Sequence, residues 1–342
     1  MTLDEIKKTL NTKEYDFLRN NEHLGKHIIL LGLGGSHAYG LEQKTSDLDV
    51  RGIALNSKSE ILLGNDFGNV IDTNTDTTIY SFNKMITLLS KQNPNTIEIL
   101  GLRPEHYLYL TDIGKELLDH KKMFLSKICI DTFGNYALSQ LRRLENKSAR
   151  LVSQSRFESY ILKSINNAYF KFKTKYFPMN DGALKLYIDK SMQNGYDSEI
   201  FMDINLKHYP LRDWTGMWNE MKSMVSSYEK NSKRNNHAIA HDKLGKHMAC
   251  LIQLYMMCID ILEKEEIITY RADEHDLLMD IRNGKYLDTS RQPIPEFYDL
   301  LEEYEKRFDY AKENTSLPDI PDYDKINEFK AYVNEQIVKG NM

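Results

Sequence analysis

The apolar run Ile28-Ile29-Leu30-Leu31 passes through Gly32-Leu33-Gly34 and leads at once into Gly35-Ser36-His37-Ala38-Tyr39-Gly40. No other stretch constrains the fold as tightly. An apolar run of this length with glycines behind it reads as a buried strand over 26–34 that breaks into a tight turn. After Ser36 come ten residues and then Asp47-Leu48-Asp49-Val50-Arg51-Gly52. A second strand is expected over 48–55. Alternate residues of an extended chain project to one side, so Asp47 and Asp49 would point together, with Arg51 on the same side. A glycine–serine turn offers backbone N–H groups and a hydroxyl to phosphate oxygens. Paired carboxylates offer hard oxygens to a divalent cation. Phosphate beside metal is the chemistry of nucleoside triphosphate handling.

Three other glycine motifs fit less well. A dinucleotide fingerprint counted from Gly32 and Gly34 requires a third glycine where His37 stands, and a P-loop requires a lysine that is missing. The segment Gly34-Gly35-Ser36-His37-Ala38 misses a hydrolase nucleophile elbow by its last residue, and an elbow would leave Asp47 and Asp49 unexplained.

At 342 residues the chain has room for about two domains. Its 41% hydrophobic and 28% charged residues suit a folded globular protein. No apolar run approaches the roughly 20 residues of a membrane span. The opening Met1-Thr2-Leu3-Asp4-Glu5-Ile6-Lys7-Lys8 lacks the apolar core of a signal peptide. Cys129, Cys250 and Cys258 form no CxxC pair, which predicts reduced, mostly buried thiols in a cytoplasmic protein and no zinc site. The net charge of −5 argues against a protein that coats nucleic acid without specificity, yet residues 121–180 hold twelve Lys and Arg against three acids, Asp131, Glu145 and Glu158. Such a face suits a phosphate-bearing partner, and it equally suits the solvated side of a helix.

The first hundred residues mix strand and helix patterns. A third strand is expected over 77–82 and a helix over 83–91. Asn93-Pro94-Asn95 ends that helix and starts another near Thr96. Residues 56–75, rich in Asn, Asp, Gly and Ser, read as a long loop around the apolar Ile61-Leu62-Leu63. Beyond about residue 122 strand patterns fade and amphipathic helices take over, with one or two over 131–175 and a strong one over 241–265. Residues 181–237 read as undecided. The expected architecture is α+β, with a first domain over 1–122 and a mainly helical second domain over 123–342.

Gly35-Ser36 followed by Asp47-x-Asp49 resembles the signature of the DNA polymerase beta-like nucleotidyltransferase superfamily. The longer set narrows this. Gly35-Ser36-His37-Ala38-Tyr39-Gly40, Ser46-Asp47-x-Asp49-x-Arg51-Gly52 and Asn93-Pro94-Asn95-x-x-Glu98-x-Leu100 resemble nucleotidyltransferases of the YcgL/RlaP type. Lys243-Leu244-Gly245-Lys246-His247 and Leu277-Leu278-x-x-Ile281-Arg282-Asn283-Gly284-Lys285 resemble later segments of the same family.

The resemblance implies a mixed sheet with helices in the first domain and a helical domain that closes over a nucleotide in the cleft between them. It implies a Mg²⁺-dependent transfer of an NMP from an NTP to an acceptor hydroxyl, with Mn²⁺ as an alternative cation. Gly35 and Ser36 would hold the triphosphate, although Ser36 could instead cap the helix that follows. Asp47 and Asp49 would hold the metal. Arg51 would contact phosphate or pair with the aspartates. A third carboxylate, which would also bind the catalytic metal and help deprotonate the acceptor hydroxyl, should stand before the 77–82 strand, where the family pattern favours Asp76 over Asp72. Lys246 and His247 would supply contacts to the triphosphate, with Arg282 a further candidate, while Glu98 reads first as a helix cap or pair. The implied acceptor is an RNA end, reached through the basic stretch 121–180. A protein side chain that receives AMP and a non-catalytic nucleotide sensor are the rival readings.

Overall fold

The computed structural model describes residues 1–134, 136–137, 140, 144, 175–179, 182–190, 198–223, 244–289 and 292–341. Its centre is a five-stranded mixed sheet in the order β3-β4-β2-β1-β5. The strands are β1 (Ile28–Leu33), β2 (Val50–Ala54), β3 (Asn69–Asp72), β4 (Thr77–Ser81) and β5 (Tyr107–Leu110). Every residue of β1 is buried, as expected for a continuously apolar strand with neighbours on both edges. β1 runs antiparallel to β2 and to β5, β2 runs parallel to β4, and β3 closes the far edge antiparallel to β4. Tyr15, Leu18, Leu24, Ile28, Leu31, Val50, Ala54 and Ile79 form a core on this sheet.

Three expected strands are thus present, and β3 and β5 are additions. β3 lies in the stretch read as loop. Its exposed Ile71 and the polar residues around it give no apolar alternation to see. The Ile61-Leu62-Leu63 element is the end of a helix, Lys58–Leu63, started by a capping box between Ser57 and Glu60. Leu62 and Leu63 point to solvent.

The helix Phe82–Ser90 begins at Ser81, whose hydroxyl accepts from the Lys84 N–H, and it buries Phe82, Met85, Ile86 and Leu89 at helical spacing. The next helix is Pro94–Ile97, capped by Asn93, so it begins at Pro94 and not at Thr96. Proline is suited to that first position, where its missing N–H is not required.

Two compact units emerge. The first comprises Met1–Ala137, Ile252–Met279 and Asp299–Met342, and the second comprises Leu138–Leu251 and Asp280–Tyr298. Neither follows one continuous stretch of sequence. Within the first unit the helix Tyr323–Lys339 returns to the sheet domain, where Phe329 meets Phe82 edge to face and Asn334 donates to Asn83 Oδ1 at 3.2 Å.

The second unit holds a two-stranded antiparallel sheet of β6 (Leu184–Lys190) and β7 (Ser198–Ile204) in the stretch read as undecided. Among the described residues the remaining elements beyond residue 122 are helices, including Leu244–Lys264, His275–Arg282 and Pro295–Asn314. Leu244–Lys264 is long and apolar enough to cross a membrane by length and composition, but most of it is buried inside the protein. Most of the helical stretch expected over 131–175 lies outside the described residues.

Candidate nucleotidyltransfer site

The first turn after β1 is a short helix, Gly35–Tyr39, whose cap position is Gly34. No side chain caps it, so Ser36 sits one residue inside the helix and not at the cap. Gly35 has φ +52° and Gly40, which ends the helix, has φ +70°. The space around these glycines is already taken. A Cβ on Gly34 would come within 2.7 Å of Asp49 Oδ1, and one on Gly35 within 2.9 Å of Asp49 Oδ2. Glycine is required here because the Asp49 carboxylate packs on the turn's backbone.

Main-chain hydrogen bonds tie three motifs together. The Gly34 N–H donates to the Asp49 carbonyl at 2.8 Å, and the Val50 N–H donates to the Asp76 carbonyl at 3.3 Å. The pairing of Val50 with Thr77 in the parallel β2–β4 ladder sets residues 49 and 76 side by side at the same end of the sheet. Asp47 and Asp49 lie in the irregular segment just before β2, because that strand begins at Val50 and not at Leu48. Asp47 and Asp76 are exposed. Asp76 adopts φ +48°, a conformation that aspartate tolerates better than most residues.

Asp72 serves a different purpose. Its Oδ1 accepts from the Asn74 N–H at 3.1 Å, the Thr75 N–H at 2.9 Å and the Thr75 hydroxyl at 2.9 Å. It holds the turn between β3 and β4 in the usual manner of a turn aspartate.

Arg51 engages Asp49 with two nitrogens. Its Nη2 donates to Asp49 Oδ2 at 3.1 Å, and its Nε stands 2.9 Å from Oδ1 without an aligned hydrogen bond. Burial opposes the Arg51 charge, but Asp49, with a smaller contribution from Glu98, raises its pKa above the ordinary value. Glu98 enters through the Tyr39 hydroxyl, which donates to its Oε2 at 2.6 Å. Burial pushes the Glu98 carboxyl up to about 7, against the pull of Tyr39 and Arg51. Glu98 is the C-cap residue of Pro94–Ile97, as the cap reading expected, and its side chain pairs outside its own helix, with Tyr39. The sequence clue was its place in the Asn93-Pro94-Asn95-x-x-Glu98 motif.

Behind the turn lies a layer that the sequence reading did not single out. His37 and His106 are buried, and burial lowers the pKa of each, with Glu42 pulling the other way in each case. Tyr270 lies where a Gly40 Cβ would be, with only 2.2 Å to its Cε2. His275 Nε2 is 2.9 Å from the Gly40 carbonyl, and the Arg103 guanidinium stacks on the Tyr270 ring at 4.4 Å. These residues fix the shape of the turn.

Lys246, His247 and Arg282 belong to the second unit, whereas the site described above is built wholly within the first. Lys246 is exposed and His247 half-buried. A Cβ on Gly245 would come within 2.4 Å of the Arg282 carbonyl, so the two later motifs pack directly on each other. Of the basic stretch 121–180, the described Lys122, Lys127 and Lys175 each pair with an acid, Glu265, Asp319 and Glu220 respectively. Most of its other cations lie outside the described residues.

A glycine turn at the end of a central strand, with aspartates set at the same end of the neighbouring strands, is the arrangement that the polymerase beta resemblance leads one to expect. Residues 4–177 match the family described as RlaP, RNA repair pathway DNA polymerase beta family. The chain belongs to that family, and membership implies nucleotidyltransferase activity. Comparison with curated proteins and with solved structures found no match in either.

The donor set suits Mg²⁺. Asp47 and Asp49 offer hard carboxylate oxygens, and Mg²⁺ is ordinarily held by one or two carboxylates together with substrate phosphates. Among the described residues no group of three or more His, Cys, Asp or Glu is gathered as a complete metal cage.

Proposed function

We propose that this protein is a Mg²⁺-dependent nucleotidyltransferase that moves an NMP from an NTP to the terminal hydroxyl of an RNA. The observation that carries the reading is the main-chain tie between Gly34 and Asp49 and between Val50 and Asp76, which brings the glycine turn and the backbones of both aspartates to one sheet end. The family description, with its reference to RNA repair, supports the RNA acceptor.

In this reading the N–H groups at Gly35 and Ser36, with the Ser36 hydroxyl, hold the terminal phosphates of the NTP. Asp47 and Asp49 hold the cation. Bound Mg²⁺ supplies charge neutralisation at the attacking and leaving oxygens. Asp76 orients the acceptor hydroxyl and takes its proton as the oxygen attacks the α-phosphorus. The bond from that phosphorus to the bridging oxygen breaks, and pyrophosphate leaves. Most of the acceleration comes from positioning and electrostatics.

The test is incubation with α-³²P-labelled NTPs, RNA and whole lysate, with Asp47→Ala/Asp49→Ala in parallel. Label on RNA that the double variant fails to deposit is the expected result. Label on protein alone overturns the RNA acceptor. No label on either, or equal labelling by the double variant, overturns the transferase reading.

A further inference from the structure

Arg51 stands where it cannot serve the metal-binding form of the site. With two nitrogens on Asp49, it neutralises a carboxylate that the cation requires. The pair is mostly enclosed, with Arg51 and Asp49 side chains 24% and 15% exposed, so solvent screens it weakly. A cation approaching alone must therefore displace a guanidinium from a poorly hydrated carboxylate. A triphosphate that approaches alone competes with Asp49 for the same guanidinium.

We propose that Arg51 is a latch that makes nucleotide and cation binding mutually dependent. It closes on Asp49 in the empty site and transfers to the triphosphate when the NTP arrives, freeing Asp49 for the cation. The proposal rests on the nucleotidyltransferase reading.

Three features carry it. Guanidinium matches phosphate oxygens as well as it matches carboxylate, so the exchange replaces one two-nitrogen contact with another. The Arg51 Nη2 hydrogen bond to Asp49 Oδ2 is 3.1 Å, longer than a tight charge-assisted pair, so the contact can be exchanged. Arg51 is also anchored at its backbone, with its neighbours Val50 and Gly52 paired to Leu33 and Leu31 on β1. The exchange therefore needs only side-chain rotation and no shift of β2.

The test measures Mn²⁺ binding by electron paramagnetic resonance in the absence of nucleotide, which avoids chelation by NTP. Arg51→Gln is expected to bind Mn²⁺ about tenfold more tightly than wild type. Arg51→Lys, which keeps the charge but cannot engage with two nitrogens, should fall between them. A second measurement follows the Arg51 Nε–H resonance in ¹⁵N-arginine-labelled wild-type protein, so that the test survives an unstable variant. Inorganic tripolyphosphate with EDTA should shift that resonance and speed its solvent exchange.

Equal Mn²⁺ affinity in wild type and Arg51→Gln, or an Arg51 resonance indifferent to tripolyphosphate, overturns the latch. If NTP still enhances Mn²⁺ binding in that case, the transferase reading stands alone. Absence of Mn²⁺ binding in every protein, with and without NTP, overturns both.

Discussion

The Tyr39 hydroxyl donates a 2.6 Å hydrogen bond to Glu98 Oε2, joining residues 59 positions apart in the chain. It links the glycine turn to the Asn-Pro-Asn segment and brings a second carboxyl group, after Asp49, into the field of Arg51. The turn, the aspartate segment and the Asn-Pro-Asn segment are thus parts of one polar layer at the end of β1.

Glu98 gives stability a pH dependence. Its carboxyl titrates at about 7 in the folded protein, against an ordinary value of 4.5. The folded state therefore holds the proton more firmly than the unfolded chain. The stabilisation is full below pH 4.5 and is lost as pH rises through 7. The shift corresponds to on the order of 3 kcal/mol at most. Glu98→Gln keeps an acceptor for Tyr39 and has no charge to bury. Urea midpoints at pH 5 and pH 8 should show wild type losing stability relative to the variant across that interval. Parallel profiles would contradict the burial of this group.

Much of this layer was legible in sequence, and the reason is geometric. Gly34 and Gly35 are glycine because Asp49 lies on their backbone, so a spacing pattern between them and Asp49 reports a real contact. The preference for Asp76 over Asp72 follows the family pattern alone, while the three hydrogen bonds that Asp72 accepts in its turn are the work of a loop-capping aspartate. What the sequence hid was set by distant neighbours. Tyr270 and His275 reach the Gly40 turn from more than 200 residues away, and no local pattern announces them. Glu98 does sit at a helix end, but its partners, Tyr39 and Arg51, come from other elements and leave no local pattern. β3 was missed because it is an edge strand with too few buried residues to alternate.

The two candidate aspartates before β4 should separate cleanly. Asp72→Ala removes three accepted hydrogen bonds from the β3–β4 turn and should cost about 1–3 kcal/mol. Nucleotidyl transfer at a temperature where the variant is folded should be little changed. Asp76→Asn keeps a residue tolerant of φ +48° and should unfold like wild type. It should lose transfer by a factor of about 10² or more if Asp76 is the base. Chemical denaturation and transfer assays on both variants check this, and activity loss confined to Asp72→Ala would reverse the assignment.

Gly40 is sensitive twice over. Alanine there must adopt φ +70° and must place its Cβ 2.2 Å from Tyr270 Cε2. The backbone cost is about 1–2 kcal/mol, and the clash adds to it. Tyr270→Ala in the same chain should remove the clash and leave the backbone cost. A double-mutant cycle measured by thermal melting should therefore give a coupling of about 1 kcal/mol or more. Additive effects would place Tyr270 away from the turn.

Gly34 and Gly35 separate backbone strain from crowding of the carboxylate. Gly34 has φ −117°, which any residue adopts, so in Gly34→Ala the methyl group meets only Asp49 and Arg51. Gly35 has φ +52°, so Gly35→Ala adds a strained backbone to a similar contact with Asp49. Both variants should displace the Asp49 carboxylate, and both should weaken Mn²⁺ binding measured with NTP present. Gly35→Ala should also lose about 1–2 kcal/mol more stability than Gly34→Ala. Denaturant unfolding and metal titration on the pair give the two quantities independently. If Gly34→Ala binds metal like wild type, the carboxylate does not depend on the turn for its position, and glycine at 34 has no role in the site.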